Sequence, residues 1–89
     1  MLKLHDKSRF RKDYKKLKSS GKQLSKLAEV IELLQEQKPL PERYRDHALT
    51  GYYTNHRECH IEADWLLIYK VEEKFLVLVR TGSHSELFG

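Results

Sequence analysis

Five polar side chains in the C-terminal half of the chain have the types needed for shared chemistry. They are His47 in "RDHAL", His60 in "ECHIE", Asp64 in "EADW", Arg80 in "LVLVRTG" and His84 in "SHSELFG". An imidazole takes or gives a proton near neutral pH, and a guanidinium offers a planar fork of donors to a phosphate. Together they suit metal-free cleavage of RNA, in which the ribose 2′-hydroxyl attacks the neighbouring phosphorus. A base takes the 2′ proton, an acid protonates the departing 5′-oxygen, and positive charge steadies the crowded phosphate. Trp65 and Phe88 are candidates to stack on an unpaired base, the alternative being that both are core.

Other chemistries fit less well. His56, Cys59 and His60 form H-x2-C-H, but adjacent strand residues point to opposite faces, so Cys59 and His60 cannot easily share a metal. No metal and no cofactor is expected. Cys59 reads as a packed, inert thiol, and as the only cysteine it makes no internal disulfide. Ser83 and Ser85 lack a nucleophile-elbow context, and there is no glycine-rich phosphate loop.

The elements that must position these groups follow from hydrophobic spacing. Leu2-Lys3-Leu4 alternates and suits a short strand. Phe10, Tyr14 and Leu17 recur at helical spacing from about Lys7, with Asp6 or Ser8 as the cap and "SSG" at 19–21 as the stop. Leu24, Leu27, Ala28, Ile31 and Leu34 form a second stripe that should end before Pro39. Residues 39–56 read as loop or irregular strand. "RECHIE" (57–62), "WLLIYKV" (65–71) and "FLVLV" (75–79) read as strands, joined by the tight corners "AD" and "EEK". The predicted architecture is α+β: an N-terminal two-helix hairpin on a small, mostly antiparallel, twisted sheet, one domain over 1–89. If the helices cover the Phe75/Val77/Val79 face, then Leu76, Leu78 and Arg80 lie on a second face without a helix of its own.

Charge adds a partner class. Residues 1–28 carry ten Lys/Arg against Asp6 and Asp13, whereas the remainder is net −4 within an overall +4. A basic end favours a polyanion, nucleic acid first, and Lys12, Lys15 and Lys16 on the first helix are the candidate phosphate contacts. No apolar run approaches the roughly 20 residues of a membrane span. With no signal-peptide pattern either, a cytoplasmic protein without a membrane partner is expected.

Three ordered stretches carry a specific resemblance: "LPERYRDHALTG", "RECHIEADWLLIYKV" and "VRTGSHSELFG". With the basic helical hairpin, they resemble the YafQ branch of the RelE/ParE superfamily of bacterial toxins over nearly the whole chain. The resemblance implies a RelE-like microbial RNase fold and a ribosome-dependent endoribonuclease, or mRNA interferase, that cuts mRNA and arrests translation. It further implies a cognate antitoxin that neutralises the toxin and with it represses their operon, so that operator DNA is met only through that complex. Carried over, the family's active-site residues fall on His47, His60, Asp64, Arg80, His84 and Phe88, with Trp65 helping to shape the pocket. In that reading Arg80 stabilises the scissile phosphate and His84 is the general acid. Asp64 or His47 is the base, His60 orients RNA or a catalytic partner, and the helix-1 lysines grip ribosomal RNA. Two positions depart from the pattern. Ala63 replaces a common Pro before Asp64-Trp65, and Asn55 stands where Gly is usual. Two other readings remain, a basic binding module that catalyses nothing and a gyrase poison like the ParE toxins, but neither needs clustered acid–base groups.

Overall fold

The computed structural model describes all of residues 1–89. Strand β1 (Lys3–Asp6) leads into helices α1 (Ser8–Ser19) and α2 (Leu24–Gln35). A short 3-10 turn (Glu42–Tyr44), strand β2 (His47–Ala48) and a second 3-10 turn (Gly51–Tyr53) follow. Strands β3 (Arg57–Glu62), β4 (Trp65–Glu72) and β5 (Phe75–Gly82) then precede a short helix α3 (His84–Phe88). The sheet order is β1-β5-β4-β3-β2, antiparallel except for the β1–β5 pair.

Both long helices pack on one face. Phe10 and Leu17 of α1 and Leu27, Val30 and Leu34 of α2 meet Cys59, Ile61, Trp65, Leu67, Tyr69, Leu76 and Leu78 of the sheet. The α2 stripe is rotated from the expected one: Val30 is buried and Ala28 exposed. Neither Asp6 nor Ser8 caps α1. Lys7 stands at the cap position without a side-chain bond. Asn55 adopts φ +70°, which asparagine tolerates better than most residues, so the missing glycine costs the turn little.

The face assignment of β5 differs from the alternating one. Tyr69 stands opposite Leu78 while Ile68 stands opposite Arg80, so Val79 is an extra residue that bulges the strand. Leu76 and Leu78 point into the helix-side core, contrary to the expectation that the helices cover the Phe75/Val77/Val79 face, and past the bulge Arg80 emerges on the opposite face beside Ile68. A strict period of 2 would have put all three together. The bulge separates the packing leucines from the guanidinium.

The second face has a small core of its own, Leu66, Ile68 and Leu87, edged by Leu49, Tyr53 and Val79. Leu87 arrives on α3, which sequence periodicity did not reveal. A capping box holds that helix: the Ser83 hydroxyl accepts from the Glu86 N–H, and the Glu86 carboxylate accepts from the Ser83 N–H. These bonds, with Lys16 at 3.1 Å, hold the Glu86 carboxyl below the usual carboxylate range. Replacing Glu86 with Ala is expected to cost about 1 kcal/mol, read as a melting temperature lower by about 5 °C. An unchanged melting temperature would show that α3 is held by Leu87 alone.

Candidate active site

Strand register sets the site on the second face. His47, Glu58, Ile68 and Arg80 lie opposite one another across β2, β3, β4 and β5. The next row holds His60 opposite Leu66, with Leu66 opposite Gly82 at the foot of α3. His84 and Phe88 stand at the two ends of α3 and complete the cluster.

The rings form a continuous line. His60 lies 6.1 Å from His47 on one side and 6.0 Å from His84 on the other, and Phe88 follows at 5.8 Å from His84. Asp64, on the β3–β4 corner, accepts the His84 backbone N–H at 2.9 Å and lies 3.5 Å from His84 Nδ1. A carboxylate at the start of α3 is favourably placed for the exposed N–H groups there, and it faces the Nδ1 edge of the ring. The structure thus brings His47, His60, Asp64, His84 and Phe88 together, although Ala63 replaces the usual Pro at that corner.

Burial decides what each ring can do. His47 is exposed, and both its nitrogens have acceptors: Nδ1 meets the Arg45 carbonyl at 2.8 Å and Nε2 meets Glu58 at 2.9 Å. Glu58 is 3% exposed, and its second oxygen makes no hydrogen bond within the protein. Burial, then the charge of Arg45, holds the His60 imidazole below the ordinary histidine range, against the opposing pull of Glu58. The folded state therefore resists protonation at His60, while the unfolded chain takes up that proton as pH falls through about 6.5. This penalty is absent above that pH and grows below it. Denaturation midpoints should fall between about pH 7 and about pH 5, with a shallower fall in His60→Gln. An unchanged slope in that variant would contradict the assignment.

Arg80 is on the same face but tethered from below. Its Nε and Nη2 donate to Asp13 of α1 at 2.7 and 3.1 Å, and the same carboxylate accepts the Thr81 N–H at 3.1 Å. Pairing of β1 with β5 ends at Leu78, so Asp13 satisfies the strand edge that β1 leaves open. The bond to Asp13 raises the Arg80 pKa further, with a smaller push from the Tyr53 hydroxyl. The guanidinium stays charged while Nη1 is unused by Asp13.

The remaining candidates separate. Trp65 is 1% exposed, and its indole N–H donates to Thr81 at 3.0 Å within the helix-side core. Its strand parity points it away from the histidines, which corrects the expectation that it shapes the pocket. Lys16 pairs with Glu86 beside α3, Lys12 is exposed on α1, and Lys15 lines a separate groove with Phe10 and Ile31. Cys59 lies on the helix side, away from His60, and burial, then the charges of Asp46 and Glu58, pushes its thiol up to about 12. Glu58, His60 and His84 each present one ligand atom within 4.8 Å of the others, a set that suits zinc or copper. An ion there would engage the same imidazole lone pairs that proton transfer requires.

Sequence reasoning passed over Glu58 and Asp13. Strand alternation places Glu58 on the His60 face, and that parity is signal enough. Asp13 carried none, being 67 residues from its partner Arg80.

Known proteins match this chain in sequence and in fold. Residues 2–89 match the family described as the YafQ bacterial toxin of type II toxin–antitoxin systems. The Escherichia coli K12 protein named mRNA interferase toxin YafQ is 42% identical over 81 residues, covering 90% of this chain and 88% of that one. YafQ in the crystal structure of the E. coli DinJ–YafQ complex superposes with a TM-score of 0.91 at 38% identity, with all of both chains covered. A copper-bound mutant toxin from Helicobacter pylori superposes with a TM-score of 0.95 at 49% identity, covering 99% of this chain and 100% of that one. The match over residues 2–89 and the shared fold place this chain in the YafQ family of type II toxin–antitoxin toxins.

Proposed function

We propose that this chain is an mRNA interferase, an endoribonuclease that cuts mRNA on the ribosome by acid–base catalysis without a metal. The observation that carries the reading is the line of three imidazoles beside Asp64, on the same sheet face as Arg80. His84 is the general acid. Asp64 holds its Nδ1 side, so Nε2 meets the leaving 5′-oxygen. Asp64 uses its Oδ1 on His84, and both nitrogens of His47 already face acceptors. We place the base at His60 in preference to those two residues, because burial holds its imidazole below the ordinary histidine range and Glu58 flanks it. Arg80, steadied by Asp13, offers its remaining donors to the phosphate, and Phe88 packs against a base.

The exposed lysines of α1 then bind ribosomal RNA through phosphates. The family membership supports an antitoxin that seats on this toxin as DinJ does on E. coli YafQ, and that represses the shared operon together with it. One domain over 1–89 working in the cytoplasm completes the reading. No helix is long and apolar enough to cross a membrane.

Purified protein added to translating ribosomes tests the proposal. New mRNA ends inside the coding sequence are expected there, and expression in cells should stop protein synthesis before DNA replication. Intact mRNA together with inhibited DNA supercoiling would favour the gyrase-poison reading instead.

A further inference from the structure

One cavity shares Arg80 with the site above, and its other walls have no part in that chemistry. It has a volume of 330 Å³ and is walled by Lys7 and Arg9 at the start of α1, Tyr52, Tyr53 and His56 around the second 3-10 turn, and Arg80. No carboxylate lines it. Lys7 and Arg9 make no ion pair, so their charge is free for a ligand. Tyr52 is 90% exposed, an unusual state for a large aromatic side chain on a small domain. Its ring stands at 88° to Tyr53 with centroids 5.0 Å apart, so Tyr53 props it while leaving it open to solvent.

The cavity is continuous with the catalytic line. Tyr53 meets Phe88 edge to face at 6.0 Å, and Phe88 lies 5.8 Å from His84. Free cations next to an open aromatic face match a phosphate next to a base, the combination that single-stranded nucleic acid offers. An acidic peptide would use the cations and leave the open ring unexplained.

We propose that this cavity is a nucleotide subsite, with Lys7 and Arg9 on the phosphate and the base stacked on Tyr52. The assignment rests on the RNA-cleavage reading. It also fixes the direction of the strand. The 2′-hydroxyl belongs at His60 and the leaving 5′-oxygen at His84, so the cavity beyond His84 and Phe88 receives the nucleotide on the 3′ side of the cut. Tyr52 is thereby a substrate-binding residue rather than a catalytic one.

The test uses short single-stranded RNA, 2′-O-methylated so that it binds without being cut, with one abasic position moved along it. For the wild-type protein, loss of the base 3′ of the blocked bond should weaken binding about tenfold. In Tyr52→Ala the intact RNA should bind about tenfold more weakly, and the abasic position should no longer matter. In Lys7→Ala/Arg9→Ala the salt dependence should flatten by about two phosphate contacts. Cleavage by Tyr52→Ala should show its loss in KM. An equal abasic penalty in wild type and Tyr52→Ala would overturn the subsite. So would unchanged RNA binding by Tyr52→Ala combined with weaker neutralisation by the co-expressed antitoxin, which would make the patch a protein-binding surface. His84→Ala separates the two levels. If it cleaves mRNA as wild type does, the parent reading fails. If cleavage depends on His84 while Tyr52 is silent, only the subsite fails.

Discussion

His84→Ala is expected to lower single-turnover mRNA cleavage by about 10²–10⁴-fold, the usual worth of a positioned proton donor. The fold should be unaffected. The side chain is 58% exposed, and the bond that Asp64 accepts comes from the backbone N–H, which alanine retains. A change in stability within about 0.5 kcal/mol is therefore expected. The combination matters more than either number, because lost activity with an unaltered melting curve assigns the imidazole to chemistry rather than packing. Cleavage within a few-fold of wild type would remove His84 from the acid role.

Asp13→Ala is expected to act on the fold itself. The carboxylate and its partner are 15% and 10% exposed at the side chain, and alanine would strand the Arg80 charge and the Thr81 N–H together. Removing one member of such a pair costs about 3–5 kcal/mol, a large part of the total stability of a small domain. Denaturant titration reads the loss directly. The double variant Asp13→Ala/Arg80→Met should recover much of it, since an apolar replacement leaves no stranded charge. It should nevertheless fail to cleave, having lost the cation proposed to face the phosphate. Equal stability of the single and double variants would mean that solvent reaches Arg80 well enough to make the ion pair dispensable.

These two residues also show how far the sequence reaches. The strands β3 and β4 were legible because alternation and apolar runs are local patterns, and both begin at the expected residues. The set of His47, His60, Asp64 and His84 was legible because its residue types match one reaction and recur in three ordered stretches. The Val79 bulge was not, since it belongs to the register between two strands and not to either alone. It alone decides that Leu78 packs inward while Arg80 faces the histidine side. Trp65 was misplaced for a related reason. Its neighbour Asp64 serves the site from the corner, whereas strand parity turns the indole into the core. Helix α3 is only five residues long, too short for periodicity, although the Ser83–Glu86 capping box was written in "SHSE". Asp13 could be connected with Arg80 only by the folded chain.

The central claim is that imidazoles move protons while a ribose 2′-hydroxyl attacks the phosphate. Replacing that hydroxyl with hydrogen at the single cleaved nucleotide of an mRNA tests it most directly. The account predicts that ribosomes programmed with the 2′-deoxy message show no break there. On the unmodified message the upstream product should end in a 2′,3′-cyclic phosphate. Cleavage of the deoxy message at an undiminished rate would contradict it, because water rather than the ribose would then be the nucleophile.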